Sequence, residues 1–466
     1  MTELHPLDVP GLDTAAQHAL ANASSAAGLS IAVTDADGLL CEGSYGFADV
    51  AAARPVTATT LFEIGSISKA FTAALLLQAR DAGLVNLDEP VTTYLPWFEV
   101  QSRHGQAITV RHLLTHTAGI IGGTEFTGEA TFETWVLRDT EATTPPGTWF
   151  YYSNTGYKAL GLVLEAVYRR PFEQILAEHL LTPMGMADSE PAVTHDTRSR
   201  LAVGYAPLYD DRPCLRSEGI VPAQWLETAT ADGSIASTAV DMTAWLRLLM
   251  NEGRTGDRRS LVTTESMREM LTSFIAADVP EWHYGLGMYL NEADGHRYAR
   301  HGGGMVGFNS ALVCNLDLNL GAIVLGNGVG PWDELALHAI HAAHAARTGA
   351  IQPEFSLDGK ELRTELPTDR PTGPVPAAHR SVVGHYRSYN PWFSNIRVQS
   401  HDGALWLWDG HDDTFLGEEL TELADGSFRI GADERSPERV RFDVVVNDVA
   451  VRATISGCGY FRTFTP

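Results

Sequence analysis

Basic residues are scarce in this sequence. Lysine and arginine total 33 against 58 aspartates and glutamates, which gives a formal net charge of −25 at pH 7. A chain with this charge repels nucleic acids and anionic membrane surfaces. We therefore expect neither a nucleic acid nor a membrane among its partners.

Export and membrane segments are also missing from the sequence. The stretch from Met1 to Asp8 has no basic region followed by an apolar core, so it predicts no signal peptide. No apolar run is long enough to cross a bilayer as a helix. Together these observations predict a cytoplasmic protein.

Cysteine is scarce too, and its spacing argues against the common cysteine-based sites. The four cysteines stand far apart and form no Cys-x-x-Cys pair, at Cys41, Cys214, Cys314 and Cys458. This pattern indicates reduced thiols rather than a disulfide framework or a zinc site. We predict that the protein uses no metal and no other cofactor.

Two histidines have a spacing that is found among metal ligands. His112 and His116 are four residues apart, which is about one turn if the segment is helical. However, no acidic residue stands between them as in the zinc-protease motif. We therefore favour structural roles for both histidines over a metal site.

Ser66 and Lys69 open the most informative stretch of the chain. The run from Ser66 to Arg80 is apolar nearly all round, and it predicts a buried central helix that ends near Gly83. Residues three apart share one face of a helix, so the hydroxyl and the amine can point into the same cleft. Burial disfavours the ammonium form of a lysine, and an amine beside a serine can take the serine proton.

The Ser-x-x-Lys spacing alone is weak, because it occurs by chance in many proteins. Lysine stands only at Lys69, Lys158 and Lys360 in this chain, which makes a chance match less frequent. The alternative to a catalytic lysine is one whose amine reaches the surface along an apolar stem. Both interpretations stay open on this pair of residues.

Two further segments carry side chains that suit a catalytic cleft. Tyr152 and Asn154 lie in a turn-rich loop ahead of an apolar helix, where turn capping and aromatic packing are the simpler interpretation. His301 precedes three successive glycines on a predicted strand. Glycine inside a strand often marks the close approach of a ligand or of other backbone. A bulge with an exposed histidine is the alternative.

The order of the predicted elements indicates a two-part α/β (α+β) protein. A chain of 466 residues is too long for one compact core. Helices fill the middle from Leu84 to Leu271, a helix runs from Trp332 to Thr348, and strands are predicted at 29–34, 39–48, 284–289, 298–308, 310–315 and 320–325. One antiparallel sheet built from both ends of this part, flanked by helices, fits that distribution.

A proline-rich stretch separates a second part of the chain. Residues 351–378 predict a linker between a domain at 1–350 and a domain at 379–466. The last domain shows short strands separated by turns, at 395–398, 404–408, 427–430, 440–446, 449–455 and 460–464. Several short strands with regular turns predict a small antiparallel β-barrel or sandwich.

Taken together, three motifs resemble those of the penicillin-binding-protein-like serine hydrolases. This family, which includes class C β-lactamases, D-alanyl-D-alanine carboxypeptidases, D-aminopeptidases and related esterases, has Ser-x-x-Lys, Tyr-x-Asn and Lys/His-x-Gly in that order. The matching stretches here run from Ser66 to Lys69, from Tyr152 to Asn154 and from His301 to Gly303, within about residues 25 to 345. The C-terminal domain resembles the lipocalin-like barrel of some D-aminopeptidases and of penicillin-binding-protein-type peptide cyclases.

The resemblance implies a catalytic role for three residues. Ser66 would be the nucleophile, and Lys69 and Tyr152 would share the proton transfers. Tyrosine is a poor base because its ordinary pKa is about 10. Positive charge nearby, from Lys69 and a protonated His301, would favour the tyrosinate form of Tyr152.

The same resemblance implies supporting roles for other residues. Asn154 would hydrogen-bond Lys69 or a substrate amide. The backbone N–H groups of Ser66 and Gly304 would form the oxyanion hole. The edge of the sheet would line the cleft with His301, Gly302 and Gly303.

The implied reaction is acyl transfer through an acyl-Ser66 intermediate on amides or esters, including small esters and peptides with D-residues, with water as the default acceptor. The third motif begins with His301 rather than lysine and has Gly302 where a hydroxyl would help to bind a carboxylate, which argues against β-lactamase activity. Two alternatives stay open, a thioesterase that cyclises a peptidyl thioester or ester and a ligand-binding protein without turnover. The barrel has two candidate roles, shaping the substrate cleft or mediating a homodimer.

Overall fold

The computed structural model describes residues 7–123, 129–215, 217–357, 359–366, 375–410 and 416–463. Its first fifteen strands precede the C-terminal barrel. They are β1 (Gly28–Asp35), β2 (Leu39–Asp49), β3 (Arg54–Pro55), β4 (Phe62–Glu63), β5 (Gln101–Ser102), β6 (Glu141–Ala142), β7 (Tyr205–Pro207), β8 (Ile220–Pro222), β9 (Ala236–Ser237), β10 (Ile275–Ala276), β11 (His283–Tyr284), β12 (Tyr289–Ala293), β13 (His296–Met305), β14 (Phe308–Asn315) and β15 (Leu320–Gly326).

The main sheet is antiparallel and takes its strands from two distant parts of the chain. Its order is β10-β11-β12-β13-β14-β15-β1-β2-β3, and the short pairs β4-β9, β5-β6 and β7-β8 lie outside it. The two parts meet where β1 pairs with β15, with Ile31 opposite Val324. The predicted sheet built from both ends of this part is therefore confirmed.

Helices fill the segment between the two groups of strands, as predicted, and among the described residues one more helix stands before the first group and one after the second. They are α1 (Leu12–Ala21), α2 (Ser68–Asp81), α3 (Val110–Leu114), α4 (Ala130–Trp135), α5 (Asn154–Tyr168), α6 (Phe172–Leu176), α7 (Thr182–Met184), α8 (Ala239–Met250), α9 (Thr264–Met270) and α10 (Trp332–Thr348). A π-turn at Ala177–Leu181 joins α6 to α7.

Helices cover both faces of the main sheet. Leu29, Ile31 and Val33 of β1 belong to one core with residues of α1 and α10. Ala32, which lies between them, belongs to the larger core that includes α2 and α8. Successive residues of a strand point to opposite faces, so β1 is buried on both sides. This burial fits the sequence of β1, in which small side chains alternate with large apolar ones and Asp35 at the end is the only charged residue.

Helix α2 is the buried central helix that the sequence predicts. Its residues from Ser68 to Leu77 are all buried. Gly83, just beyond its end, has φ +74°, the left-handed conformation that commonly ends a helix. The α-helix begins at Ser68, because Ser66 lies in a 3-10 turn, Gly65–Ile67, that leads into it. The predicted helix is thus confirmed, with its first turn wound more tightly than expected.

The C-terminal part is a closed antiparallel barrel, which confirms the predicted fold class. Its strands are β16 (Gly384–Arg387), β17 (Asn395–His401), β18 (Ala404–Trp408), β19 (Glu418–Glu422), β20 (Phe428–Ile430), β21 (Arg439–Val446), β22 (Val449–Ile455) and β23 (Cys458–Arg462). Pairing of Tyr386 with Arg462 closes the barrel. The sequence prediction missed β16 and β19, and the predicted end of the last strand at Phe464 lies outside the described residues.

Two other sequence expectations concern the linker and the membrane. Within its described residues, the predicted linker 351–378 contains no helix or strand apart from the start of a 3-10 turn, Ala377–His379. Its prolines at positions 367, 371 and 374 lie outside the described residues. Throughout the described ranges, no helix combines the length and the apolar character that a membrane crossing needs.

Candidate active site

The start of α2 is pressed against strand β13. Gly65 has φ +56°, and a Cβ atom added there would lie 2.6 Å from the backbone nitrogen of Gly304. Gly65 therefore has two reasons to be glycine, its left-handed conformation and the close approach of other backbone. As a result, Ser66 lies directly beside the strand that carries the third sequence motif.

Lys69 lies beneath Ser66 and is completely buried. Its Nζ donates hydrogen bonds to Ser66 Oγ at 3.0 Å and to Asn154 Oδ1 at 2.7 Å. A third bond reaches the backbone carbonyl of Asp232 at 2.8 Å. An ammonium group has three N–H donors, and these three acceptors are uncharged oxygen atoms. The alternative of a lysine that reaches the surface is wrong.

Asn154 reaches Lys69 because it is the first residue of α5. Ser153 caps this helix by accepting a hydrogen bond from Gly156 N at 3.0 Å. The backbone nitrogen of Asn154 donates to the carbonyl of Gly122 at 2.6 Å. With its backbone nitrogen bound to the neighbouring loop, Asn154 directs its side-chain oxygen at Lys69. The capping interpretation therefore applies to Ser153, and Asn154 joins the cluster around Ser66.

Tyr152 places its ring over the same amine. Lys69 Nζ lies 4.9 Å from the ring centroid, and the ring of His116 stacks on the ring of Tyr152 with 4.3 Å between their centroids. Burial raises the pKa of Tyr152 well above its ordinary value, although a side-chain hydrogen bond with Ser66 acts in the opposite direction. The resting phenol is therefore neutral, and the expected preference for tyrosinate is not supported.

His301 lies behind the cluster and is only 4% exposed, so the alternative of an exposed histidine on a bulge is wrong. Its Nδ1 is 2.6 Å from the carbonyl of Gly302, and its Nε2 is 3.2 Å from the hydroxyl of Tyr284. Burial, together with the charge of Lys69, lowers the pKa of His301 to about 3. The neutral ring cannot supply the positive charge that the sequence analysis expected. Because a carbonyl only accepts, Nδ1 carries the proton.

The glycines after His301 differ from one another. A Cβ atom added to Gly303 would lie 1.9 Å from the carbonyl oxygen of Ile64, so this position holds the strand against the start of α2. Gly302 is exposed, and a Cβ atom added there would have its nearest neighbour 3.8 Å away. Gly304 lines a cavity of about 190 Å³ together with Ser66 and Asn154. The structure thus brings Gly304 to Ser66 and leaves Gly302 and Gly303 outside the lining of that cavity.

The two histidines with metal-like spacing have structural roles. His112 Nδ1 accepts a hydrogen bond from Thr109 N within the cap of α3. His116 lies beyond the end of that helix with φ 55°, and its Nδ1 accepts from Ser153 N at 3.0 Å. Among the described residues, no cluster of three or more metal-ligating side chains occurs.

The sequence of this chain matches a known family over most of its length. The family model described as beta-lactamase matches residues 12–347. The chain belongs to the beta-lactamase family. It is similar to the penicillin-binding protein PbpX of Bacillus subtilis (strain 168), with 30% identity over 269 residues, 57% of this chain and 61% of PbpX. The match spans less than two-thirds of that relative. The family match confirms the predicted resemblance to this group of proteins.

Two solved structures are also similar to this chain in fold. An octameric penicillin-binding protein homologue from Pyrococcus abyssi has a TM-score of 0.63 and 22% identity, and it covers 98% of this chain and 100% of its own. A D-stereospecific amidohydrolase from Streptomyces has a TM-score of 0.58 and 24% identity, over 71% of this chain and 98% of its own. At these identities the likeness shows the fold.

Sequence reasoning missed three contacts in this site. The carbonyl of Asp232 accepts from Lys69, and the loop that presents it is fixed by Thr72 Oγ1, which donates to Ala231 O at 2.6 Å. His116 supports the ring of Tyr152 by stacking. The contacts of Asp232 and Ala231 join segments about 160 residues apart and leave no local pattern. For the stacking of His116 on Tyr152, the sequence offered one indication, a histidine in the loop-rich stretch that precedes Tyr152.

Proposed function

We propose that the protein is a serine hydrolase or acyltransferase that cleaves amide or ester bonds through an acyl-Ser66 intermediate. The observation that carries this proposal is the 3.0 Å contact between Lys69 Nζ and Ser66 Oγ at the wall of a cavity. A serine becomes a nucleophile when an adjacent base takes its proton. A fully buried amine at hydrogen-bonding distance is positioned for that transfer.

The acylation step divides between the two proton-transfer groups. Ser66 Oγ forms a bond to the substrate carbonyl carbon while its proton moves to Lys69 in the amine form. The negative charge on the carbonyl oxygen is stabilised by the backbone N–H groups of Ser66 and Gly304, and one such donor contributes about 3 kcal/mol. The bond to the leaving group then breaks, and the neutral phenol of Tyr152 donates its proton to the departing amine or alcohol.

Deacylation reverses these roles. Water adds to the acyl-Ser66 carbonyl and gives a proton to the Tyr152 oxygen, and Ser66 Oγ leaves as it recovers a proton from Lys69. The D-stereospecific amidohydrolase among the fold neighbours makes D-aminoacyl amides the first substrates to test. Short-chain esters and L-aminoacyl amides complete a panel that separates esterase from amidase activity.

The test exploits the second serine of the same motif. Ser66→Ala should abolish covalent labelling by a fluorophosphonate probe, because the acceptor oxygen is gone. Ser68→Ala is the matched control, since Ser68 is also buried and its Oγ accepts from Ile235 N at 3.3 Å. Labelling of Ser66→Ala at the wild-type rate, with peptide mapping by tandem mass spectrometry locating the adduct at another residue, would refute the proposal.

A second variant tests the proton path. Tyr152→Phe keeps the ring that stacks on His116 and removes the hydroxyl. Groups that transfer protons contribute about 10²- to 10⁴-fold to rate, and we expect a loss of turnover in this range. Ordinary turnover by Tyr152→Phe would remove the phenol from the mechanism.

A further inference from the structure

The barrel contains a cavity of about 650 Å³ that opens against the candidate active site. Its wall is mainly apolar on the barrel side, where it is formed by Phe393, Ile396, Leu407, Ile430, Ile455 and Tyr460. Residues of the helical part complete the wall, namely Gly122, Gly123, Tyr151 and Asn154. Cavities of about 300–1,000 Å³ with apolar walls are typical of small-molecule sites.

This cavity adjoins the one that contains Ser66. Asn154 lines both cavities, and its side chain lies 2.7 Å from Lys69 Nζ. The barrel segment 389–393 also separates the two, because Pro391 and Trp392 face the Ser66 cavity and Phe393 faces the barrel cavity. The two cavities therefore lie side by side, with Asn154 and this segment forming part of the wall of each.

Glu438 of the barrel part is hydrogen-bonded to the loop that holds Asn154. Its two carboxyl oxygens accept hydrogen bonds from Gly122 N at 2.7 Å and from Ser456 Oγ at 2.6 Å. Gly122 in turn accepts from the backbone nitrogen of Asn154. Glu438, Gly122 and Asn154 thus form one hydrogen-bonded path from the cavity wall to the residue that contacts Lys69.

The charged side chains among the described residues of the cavity wall are all acidic. Asp409, Glu418 and Glu438 line it, and none of the described lining residues is a lysine, arginine or histidine. An anionic ligand would lose its hydration against carboxylates without gaining a cation. Glu438 already accepts two hydrogen bonds, and burial raises its pKa, so it contributes little charge to the cavity. An amine would be attracted by Asp409 and Glu418, and its apolar body would contact the isoleucine and phenylalanine side chains.

We propose that the barrel cavity is a substrate pocket that holds an apolar group bearing an amine while the adjoining carbonyl reacts at Ser66. The inference rests on the proposed acyl-Ser66 chemistry, since it assigns the cavity to the same substrate. It gives the barrel the role of selecting substrates by size and charge.

The first experiment measures binding without catalysis. Calorimetry on Ser66→Ala compares 4-phenylbutylamine with 4-phenylbutanoate, which share an apolar body and differ in charge. The amine should bind about tenfold more tightly or better, a difference of about 1.4 kcal/mol. Equal or tighter binding of the carboxylate would overturn the charge selection.

Variants of the barrel locate the binding site. Ile430→Trp fills the cavity and should weaken binding of the amine about tenfold or more. Ile455→Trp, in β22 rather than β20, should have the same effect. Val445→Trp is the control, because Val445 is 57% exposed and is not among the described residues of the cavity wall. Circular dichroism identifies any variant that fails to fold. Binding that survives in a folded filling variant would place the ligand elsewhere.

The second experiment joins the cavity to Ser66. Saturating 4-phenylbutylamine should slow fluorophosphonate labelling of the wild-type protein, and Ile430→Trp should remove this protection. Amine binding that leaves the labelling rate unchanged would overturn the assignment of the cavity to the substrate of Ser66. Complete absence of labelling would instead refute the acyl-Ser66 chemistry, and the calorimetry would still decide the class of ligand.

Discussion

Lys69 and Lys158 are both buried, but they lie in different surroundings. Lys158 Nζ is 2.8 Å from Glu133 Oε2 and 3.9 Å from Asp232 Oδ2. Glu133 itself is completely buried. Lys69 instead donates to a hydroxyl, a side-chain amide and a backbone carbonyl, all of them uncharged. The two amines are on neighbouring helices, α2 and α5, so the difference is local.

This difference distinguishes the structural role that we infer for Lys158 from the proposed role of Lys69 as a base. A buried ammonium beside a carboxylate forms an ion pair, and removing either partner leaves an uncompensated charge. An amine that shares a hydrogen bond with a hydroxyl can exchange a proton along that bond. The carboxylate contact therefore assigns Lys158 to stability, and the hydroxyl contact supports Lys69 as the proton acceptor for Ser66.

The largest expected effect comes from Lys69→Ala. Without the amine, Ser66 loses its base, and we expect the fluorophosphonate labelling rate to fall by about 10⁴-fold, the upper end for one proton-transfer group. Lys360→Ala is the control, because this lysine is 68% exposed and pairs with Glu334 at the surface. A labelling rate for folded Lys69→Ala within tenfold of the control would break the comparison between the two buried lysines.

The next largest effect concerns stability and Lys158. Lys158→Ala leaves Glu133 buried without its partner, which should cost about 3–5 kcal/mol of unfolding free energy. The double variant Lys158→Met with Glu133→Leu replaces both charges by apolar groups and should recover most of that loss. Urea unfolding measures both values. If the single and double variants were equally unstable, the ion pair would not be the reason for burying Lys158.

Local patterns were enough to predict the fold class and the central helix. The run from Ser66 to Arg80 is apolar nearly all round, which favours a buried helix. Strands were likewise predicted at 29–34 and 320–325, and both belong to the main sheet. Strands β16 and β19 were missed because each buries a single residue, Tyr386 or Leu420, and so shows little alternation.

Contacts between distant segments account for what the sequence did not predict. The pairing of Lys158 with Glu133 and the contact of Lys69 with Asp232 depend on how helices and loops pack. The protonation of His301 depends on burial, which the sequence of one strand does not reveal. The glycine-rich motif predicted close backbone approach, and the contact of Gly303 with Ile64 now supplies its physical reason.

The smallest predicted effect concerns the pH dependence of stability that His301, a neighbour of Lys69, confers. Carboxylates surround Lys158, whereas the charge of Lys69 helps to keep His301 neutral. The ordinary pKa of histidine is 6.5, and the folded protein lowers the pKa of His301 to about 3. Below pH 6.5 the unfolded chain therefore binds a proton that the folded state refuses. The stability from this group is full above pH 6.5 and is lost as the pH falls towards 3.

His301→Gln tests this sign directly. Glutamine can donate to Gly302 O and accept from Tyr284, so it keeps the polar contacts without titrating. Unfolding free energies between pH 4 and pH 8 should fall less steeply on the acid side for His301→Gln than for the control His283→Gln, whose side chain is exposed. His116, whose pKa is also lowered by burial, will keep part of the slope. Identical acid slopes for the two variants would mean that His301 is protonated beside Lys69, and the two lysines would then differ less than their contacts indicate.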